Sequence, residues 1–411
     1  MNCLHYCDLL AVPEFSEIIK TGVSSNNILN VNEYFTKSQQ LYKIVKYNKD
    51  LMDEQTVTKF GLFRSVVINK NNQVVSVSPC KSVKLDNFFE KYSENTDSII
   101  GEEFIEGTMI NLFWDPSLGL TGAWEIATRN TVGAHVSFYK NETSKTFNDM
   151  FCEACLYNNL NINLLDTNYC YSFVLQHPDN RIVVPFKQPQ LFLIEIYQIV
   201  NTLKSINVYN QCISDFVNLG FDKSTVKIPE VYKYKNYQDL IDKYASNNSS
   251  YDILGIVFKN LATGERTKKR NPVYEEIKGL KGNQPKLQYR YLCLRKEGRV
   301  SEYLEYFPEH KTNCNKFRQQ LHEFTNTLFS NYKECYVKKQ KKITDFPFQY
   351  RHHMICIHNI YRTELLPNRL FITNTHVIKY VNNLHPSQQM FSLNYNMRKR
   401  IVDFIKVDNS V

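Results

Sequence analysis

The side chains here that are equipped for chemistry are mostly cations. Lys268 and Arg270 flank Lys269. Alternate residues of an extended backbone share a face, so the pair would point into one cleft and could grip a phosphate. The plainer alternative is a solvated basic turn over Gly264–Arg270. Lys338, Lys339, Lys341 and Lys342 form a second cluster, either a grip on RNA phosphates or simply a solvated face. Glu106-Gly107 reads as a carboxylate beside a ligand or as a turn between strands. The run Arg351–His358 holds three histidines and a cysteine, but its spacing fits no two-plus-two zinc scheme, and its interleaved apolar residues suit a packed element. Cys152 and Cys155 sit in the apolar run FNDMFCEACLYNNL, which has helical texture. The eleven cysteines make no disulfide framework and read as reduced thiols in a cytosol-like compartment. No metal site is expected.

These groups sit in a chain of 411 residues with a formal net charge of +9. That length allows two or three domains, and the charge favours polyanions such as nucleotides or nucleic acid. The abundance of Tyr, Phe, Asn, Lys and Ile fits an AT-rich coding sequence, so the aromatics need not signal base stacking. The N-terminus lacks a signal-peptide pattern, and no run approaches the ~18 apolar residues of a membrane span. A soluble, cytoplasmic protein without a membrane partner is expected.

Positioning falls to mixed elements. Leu62–Ile68 and Val74–Val77, joined by Asn69–Asn72, predict a hairpin. Gly107–Trp114 with Trp124–Thr128 predicts a second, and Tyr169–Gln176 with Arg181–Val184 a third. Trp114 and Trp124 flank their turn and are expected to pack rather than stack on bases. Thr146–Asn158 and Gln190–Ser205 carry apolar residues at helical spacing, and Ile253–Lys259 reads as a strand. The fold class is α+β with antiparallel sheets. Residues 1–55, with a polar turn at Ser24–Asn27, read as an adapting N-terminal segment, 56–295 as the main domain and 296–411 as a helical C-terminal domain.

Four segments, in order, resemble the phage-type RNA ligases within the covalent nucleotidyltransferases. They are Phe60–Val67 with Pro79–Ser82 and Asn87–Phe89; Glu103–Ile110; Tyr171–Val183, with its Pro-Asp-Asn-Arg-Ile-Val; and Leu254–Phe258 with Arg266–Tyr274. The resemblance implies an ATP-grasp-like ligase domain over about residues 56–290, ATP and Mg²⁺ as cofactors, and RNA or nucleotide as partner. It puts Phe104 where the family keeps its nucleophilic lysine. A phenyl ring has no lone pair to attack phosphorus. Ser172 and Leu254 fall where the family has carboxylates, and leucine offers no oxygen to Mg²⁺. The cations survive better: Arg64, Lys81, Arg129, Lys268 and Arg270. With Glu106, Gly107 and Arg181 they form the expected ligand-binding set, although Arg181 also suits a turn-bracing role through carbonyl hydrogen bonds.

The expectation is an RNA-ligase-like pseudoenzyme that binds nucleotide or RNA with the standard adenylyl transfer lost. Its divergent style resembles proteins of giant DNA viruses, which would place it in host cytoplasm or virion. Two alternatives stay open. One is a working RNA ligase or related nucleotidyltransferase using a displaced lysine, with Lys81 the one to test. The other is a structural viral protein that keeps only the fold.

Overall fold

The computed structural model describes residues 3–24, 27–92, 98–138, 145–213 and 220–397. Ser25 and Asn26 of the polar turn lie outside them. The strands are β1 (Cys3–Asp8), β2 (Leu29–Phe35), β3 (Leu41–Tyr47), β4 (Val66–Ile68), β5 (Val74–Ser76), β6 (Ile99–Glu103), β7 (Thr108–Asp115), β8 (Ala123–Ala127), β9 (Tyr169–Gln176), β10 (Gln190–Asn201), β11 (Ile206–Gln211), β12 (Val231–Tyr232), β13 (Gly255–Asn260) and β14 (Arg266–Arg270). Among them run α1 (Pro13–Thr21), α2 (Glu54–Phe60), α3 (Leu85–Lys91), α4 (Phe147–Tyr157) and α5 (Tyr237–Tyr244), and α6 (Pro272–Lys281) follows. Then come α7 (Leu287–Glu297), α8 (Val300–Tyr306), α9 (Lys311–Tyr332), α10 (Phe348–Ile360), α11 (Asn374–Asn383) and α12 (Pro386–Leu393). The expected α+β class with antiparallel sheets and a helical C-terminal region is borne out.

The chain divides into two compact units, Met1–Gly279 and Leu280–Val411. Within the first, three antiparallel sheets run in the orders β1-β11-β10-β9-β7-β8, β12-β6-β13-β14 and β2-β3-β4-β5. Residues before 56 thus contribute β1 to the six-stranded sheet and two of four strands to the last one. One face of the β6/β13 sheet packs Ile256 and Phe258 against Phe88, Tyr237 and Leu240, where Gly101 leaves room for Leu240: an added Cβ would lie 2.4 Å from its Cδ1. The last sheet is tied to β7 through buried Asp115, which accepts hydrogen bonds from Tyr42 Oη (2.6 Å) and Asn69 Nδ2 (2.8 Å).

A buried ion cluster joins the other two sheets. Lys259 Nζ on β13 lies 2.7 Å from Glu102 of β6 and 2.8 Å from Glu195 of β10, and Asn210 donates to Glu195 (2.7 Å). A register shift between Leu193 and Glu195 is a bulge, and bulges re-aim side chains. It lets Ile194 and Glu195 face the same side. Burial alone would strip the proton from Lys259, but the two carboxylates more than offset it and its pKa is raised.

Three expectations need correction. Gln190–Ser205 is not a helix but the strand β10, through Asn201. Its first five residues are all buried, so apolar residues fall at every spacing, helical ones included. Arg181–Val184 forms no strand, because the Val183 and Val184 amides bond to the Glu106 carboxylate instead. The basic segment after Gly264 is a strand rather than a turn from Arg266 onward. The hairpins β4/β5 and β7/β8 and the helix α4, with Thr146 as its N-cap, form as expected. Trp114 and Trp124 are cross-strand partners with ring centroids 5.5 Å apart.

In the second unit, Tyr291, Leu292, Leu321, Phe324, Leu328, Met354, Ile357, Val377 and Val381 form the core. His353 is buried between Tyr380 Oη (2.8 Å) and Ser392 Oγ (2.9 Å). Lys338, Lys339, Lys341 and Lys342 are exposed. No helix among the described residues is long and apolar enough to cross a membrane.

Truncating the central cation leaves two buried carboxylates facing each other. Lys259→Met is therefore expected to destabilise the first unit by about 3–5 kcal/mol at neutral pH, with part of the loss recovered as the carboxylates protonate in acid. Urea unfolding at pH 7 and pH 5 checks both the size and the recovery.

Candidate functional site

Between the β6/β13 sheet and the six-stranded sheet lies a cleft of about 480 Å³, within the usual range for ligand sites. The segment 104–107 crosses from β6 to β7 along it. Gly107 is obligatory there: its φ is 154°, and a Cβ would lie 2.5 Å from the Leu175 carbonyl oxygen. The two walls differ in kind. Met109, Val174 and Ile194, with Ile105 from the crossing segment, make an apolar wall, to which Ile182 and Leu254 add.

The opposite wall is cationic. Arg266, Lys268 and Arg270 share one face of β14, paired with Lys259, Val257 and Gly255 of β13, and all three line the cleft. Arg64 (before β4), Lys81 (after β5) and Arg129 (after β8) converge on it, as do Lys49 and Lys278. Eight Lys and Arg side chains thus face three carboxylates, Glu102, Glu103 and Glu106. Two of those carboxylates are engaged. Glu102 holds Lys259, and Glu106 accepts the Val183 amide (3.0 Å) and the Val184 amide (3.2 Å).

Crowding shows in the protonation equilibria. Burial, then Arg270, Arg266, Arg64 and Lys81, push the Lys268 amine down to about 7. Burial and the Arg266 guanidinium lower Arg64, and burial with Lys49 lowers Lys81. Lys268 Nζ lies over the Phe104 ring, 5.4 Å from its centroid. The Nε and Nη1 of Arg266, which is only 9% exposed, and the Nε of Arg270 are buried with no hydrogen-bond partner. A buried guanidinium N–H without an acceptor is costly, and both side chains line the cleft.

Seven of the eight expected ligand residues therefore meet in one cavity: Arg64, Lys81, Glu106, Gly107, Arg129, Lys268 and Arg270, with Phe104 among them. Arg181 does not line it; its Nε donates to the Val183 carbonyl (2.8 Å) while its neighbour Ile182 faces the cleft. Arg266 was missed. Its signal was available, since it stands two residues before Lys268 and four before Arg270 on the same alternation. Lys49 and Lys278 carry no such sequence mark. Among the described residues no group of three or more His, Cys, Asp or Glu is placed to hold a metal ion. With Glu102 and Glu106 engaged, the side chains present do not fit a protein-borne Mg²⁺.

No family model matches the chain. Over 276 residues it is 22% identical to an RNA ligase of Rhodothermus phage RM378, covering 59% of each protein. The chain thus spans about three-fifths of the length of the curated relative it matches, and it is distantly homologous to RNA ligases. Among solved structures it is similar to a Naegleria gruberi RNA ligase variant with ATP and Mn, at 13% identity and a TM-score of 0.34 over 48% of this chain and 57% of that one. It is also similar to an archaeal ATP-dependent RNA ligase, at 11% identity and a TM-score of 0.37 over 75% and 73%.

The lowered Lys268 fixes a pH window. An unfolded lysine titrates near ~10.4 and the folded one near 7. Between these values the unfolded chain holds more protons, so this group makes stability rise with pH, and below about 7 its cost is present in full. Lys268→Met is expected to raise the melting temperature by about 5 °C or more at pH 6, with the gain vanishing toward pH 10. Thermal unfolding across that range checks it, and a gain independent of pH would contradict the assignment.

Proposed function

We propose that the cleft binds a nucleotide on a scaffold distantly related to RNA ligases, and that adenylyl transfer through residue 104 is lost. The base lies against Ile105, Met109, Val174 and Ile194, and the polyphosphate against the cations. The carrying observation is a cleft wall in which eight Lys and Arg side chains outnumber three carboxylates, two of which are already engaged. Such a site is incomplete without an anion. A phenyl ring at position 104 leaves no amine there for a phosphoramidate. ATP is the nucleotide that the resemblance implies; any Mg²⁺ would arrive with the phosphates.

Single-stranded RNA in the same cleft is the second reading. It is favoured by the homology to RNA ligases and by the β14 cations, which repeat every second residue, about 7 Å apart. Consecutive phosphates of a strand, separated by a whole sugar, suit that interval better than the oxygen-bridged phosphates of one nucleotide.

Equilibrium binding of ATP, ADP, AMP and adenosine tests the first reading. Affinity is expected to fall with each phosphate removed, and Arg64→Ala to weaken ATP roughly 10- to 100-fold, while Lys339→Ala in the helical unit changes nothing. Adenosine binding as tightly as ATP would overturn the reading. For RNA, log affinity is expected to fall linearly with log salt, and Arg129→Ala to flatten that slope by about one; an unchanged slope would remove the cleft from the RNA path.

A further inference from the structure

We propose that Lys268 supplies the amine that position 104 lacks, its Nζ taking the nucleotidyl group from a nucleoside triphosphate held in the cleft. The proposal rests on the nucleotide-binding reading. Its basis is positional. Lys268 reaches from β14 across to the segment that joins β6 to β7, and its Nζ stands over the Phe104 ring at 5.4 Å from the centroid. An amine from a different strand therefore occupies the space beside the side chain that cannot react.

The surroundings suit a nucleophile better than a structural cation. Among the described residues Lys268 makes no hydrogen bond and no ion pair, whereas Lys259 is held by two glutamates and Lys278 and Arg270 both bond Glu275. A lysine locked in such a pair keeps its proton, and its nitrogen then has no free lone pair with which to attack. The charges acting most strongly on Lys268 are positive, Arg270, Arg266, Arg64 and Lys81, while the cleft carboxylates Glu102 and Glu106 are engaged elsewhere and Glu103 lines the same cleft. The four cations make the free amine the easier form near neutral pH, and they are also the donors that would draw the charge developing on the α-phosphate and on the departing group. Lys49 and Lys81, the other cleft lysines that make no ion pair among the described residues, are not set against Phe104, and Lys81 has weaker causes for losing its proton.

The step balances without an oxidant or reductant. The neutral Nζ attacks the α-phosphorus and an N–P bond forms. The bond from that phosphorus to the oxygen bridging the β-phosphate breaks, and pyrophosphate leaves with the electron pair. The amine releases one proton to solvent. The product is a lysyl phosphoramidate, stable in base and labile in acid.

The full chain is incubated with each of the four ribonucleoside triphosphates, α-labelled, with Mg²⁺, then denatured, and any label is located by peptide mass spectrometry. Lys268→Arg keeps the charge but has no accessible free base, so it is expected to lose labelling at least 100-fold while equilibrium binding of the same triphosphate stays within about tenfold. Lys339→Arg is expected to label as the unaltered chain does, and labelling of the latter is expected to quicken from pH 6 to pH 8. Triphosphate that binds without any adduct overturns this proposal and leaves the nucleotide-binding reading standing. An adduct on a different residue, or label that persists in Lys268→Arg, overturns it too. Absence of both binding and adduct removes both readings.

Discussion

The cleft depends on a buried charge shared between two sheets. Lys259 on β13 is held by Glu102 from its own sheet and Glu195 from the six-stranded one. Ion clusters of this kind add little net stability relative to apolar packing, yet breaking them is expensive. Their value here is geometric. The triad fixes how the row Arg266, Lys268 and Arg270 faces Val174 and Ile194, because Arg266 is the cross-strand neighbour of Lys259 and Ile194 the sequence neighbour of Glu195. Shifting either strand by one residue would turn these side chains to the opposite face.

Beside that triad, one cation against two carboxylates, stands a group of cations. Arg64, Lys81, Arg266 and Lys268 repel one another in a half-enclosed space, and of the four only Arg266 is drawn on by the acids of the triad. Packed cores rarely keep buried N–H donors without acceptors, and local strain of this sort concentrates where a ligand relieves it. The same crowding ties structure to chemistry: a polyanion would offset the repulsion among these cations and raise the proton affinity of Lys268 at once.

How far this was legible in the sequence varies with the type of signal. The short hairpins announced themselves through Asn-rich or Asp-Pro turns between β-branched runs. The alternation of Lys268 and Arg270 is visible because period two survives in any strand with one solvent-facing side, and extending it back to Arg266 needed only the correct strand start. Strand β10 was misread because a buried central strand has no polar face to mark its period. Segment 181–184 was misread because its amides are captured by a carboxylate some eighty residues earlier in the chain, a tertiary choice that no local pattern announces. Convergence of Arg64, Lys81 and Arg129 came from the resemblance, since nothing in the spacing of three loop cations predicts a common cavity.

Among the described residues, strand β14 also closes one side of its sheet, paired with β13 alone. Its residues Arg-Thr-Lys-Lys-Arg are what a sheet margin needs to repel a second chain seeking backbone partners, and Val83 covers just the Arg266 carbonyl. The charges that would hold a ligand therefore also disfavour pairing of this edge with another chain. Erasing them wholesale with apolar residues would do more than empty a pocket: it would open a template for intermolecular β-pairing, so single, charge-sparing changes are the sound way to dissect this wall.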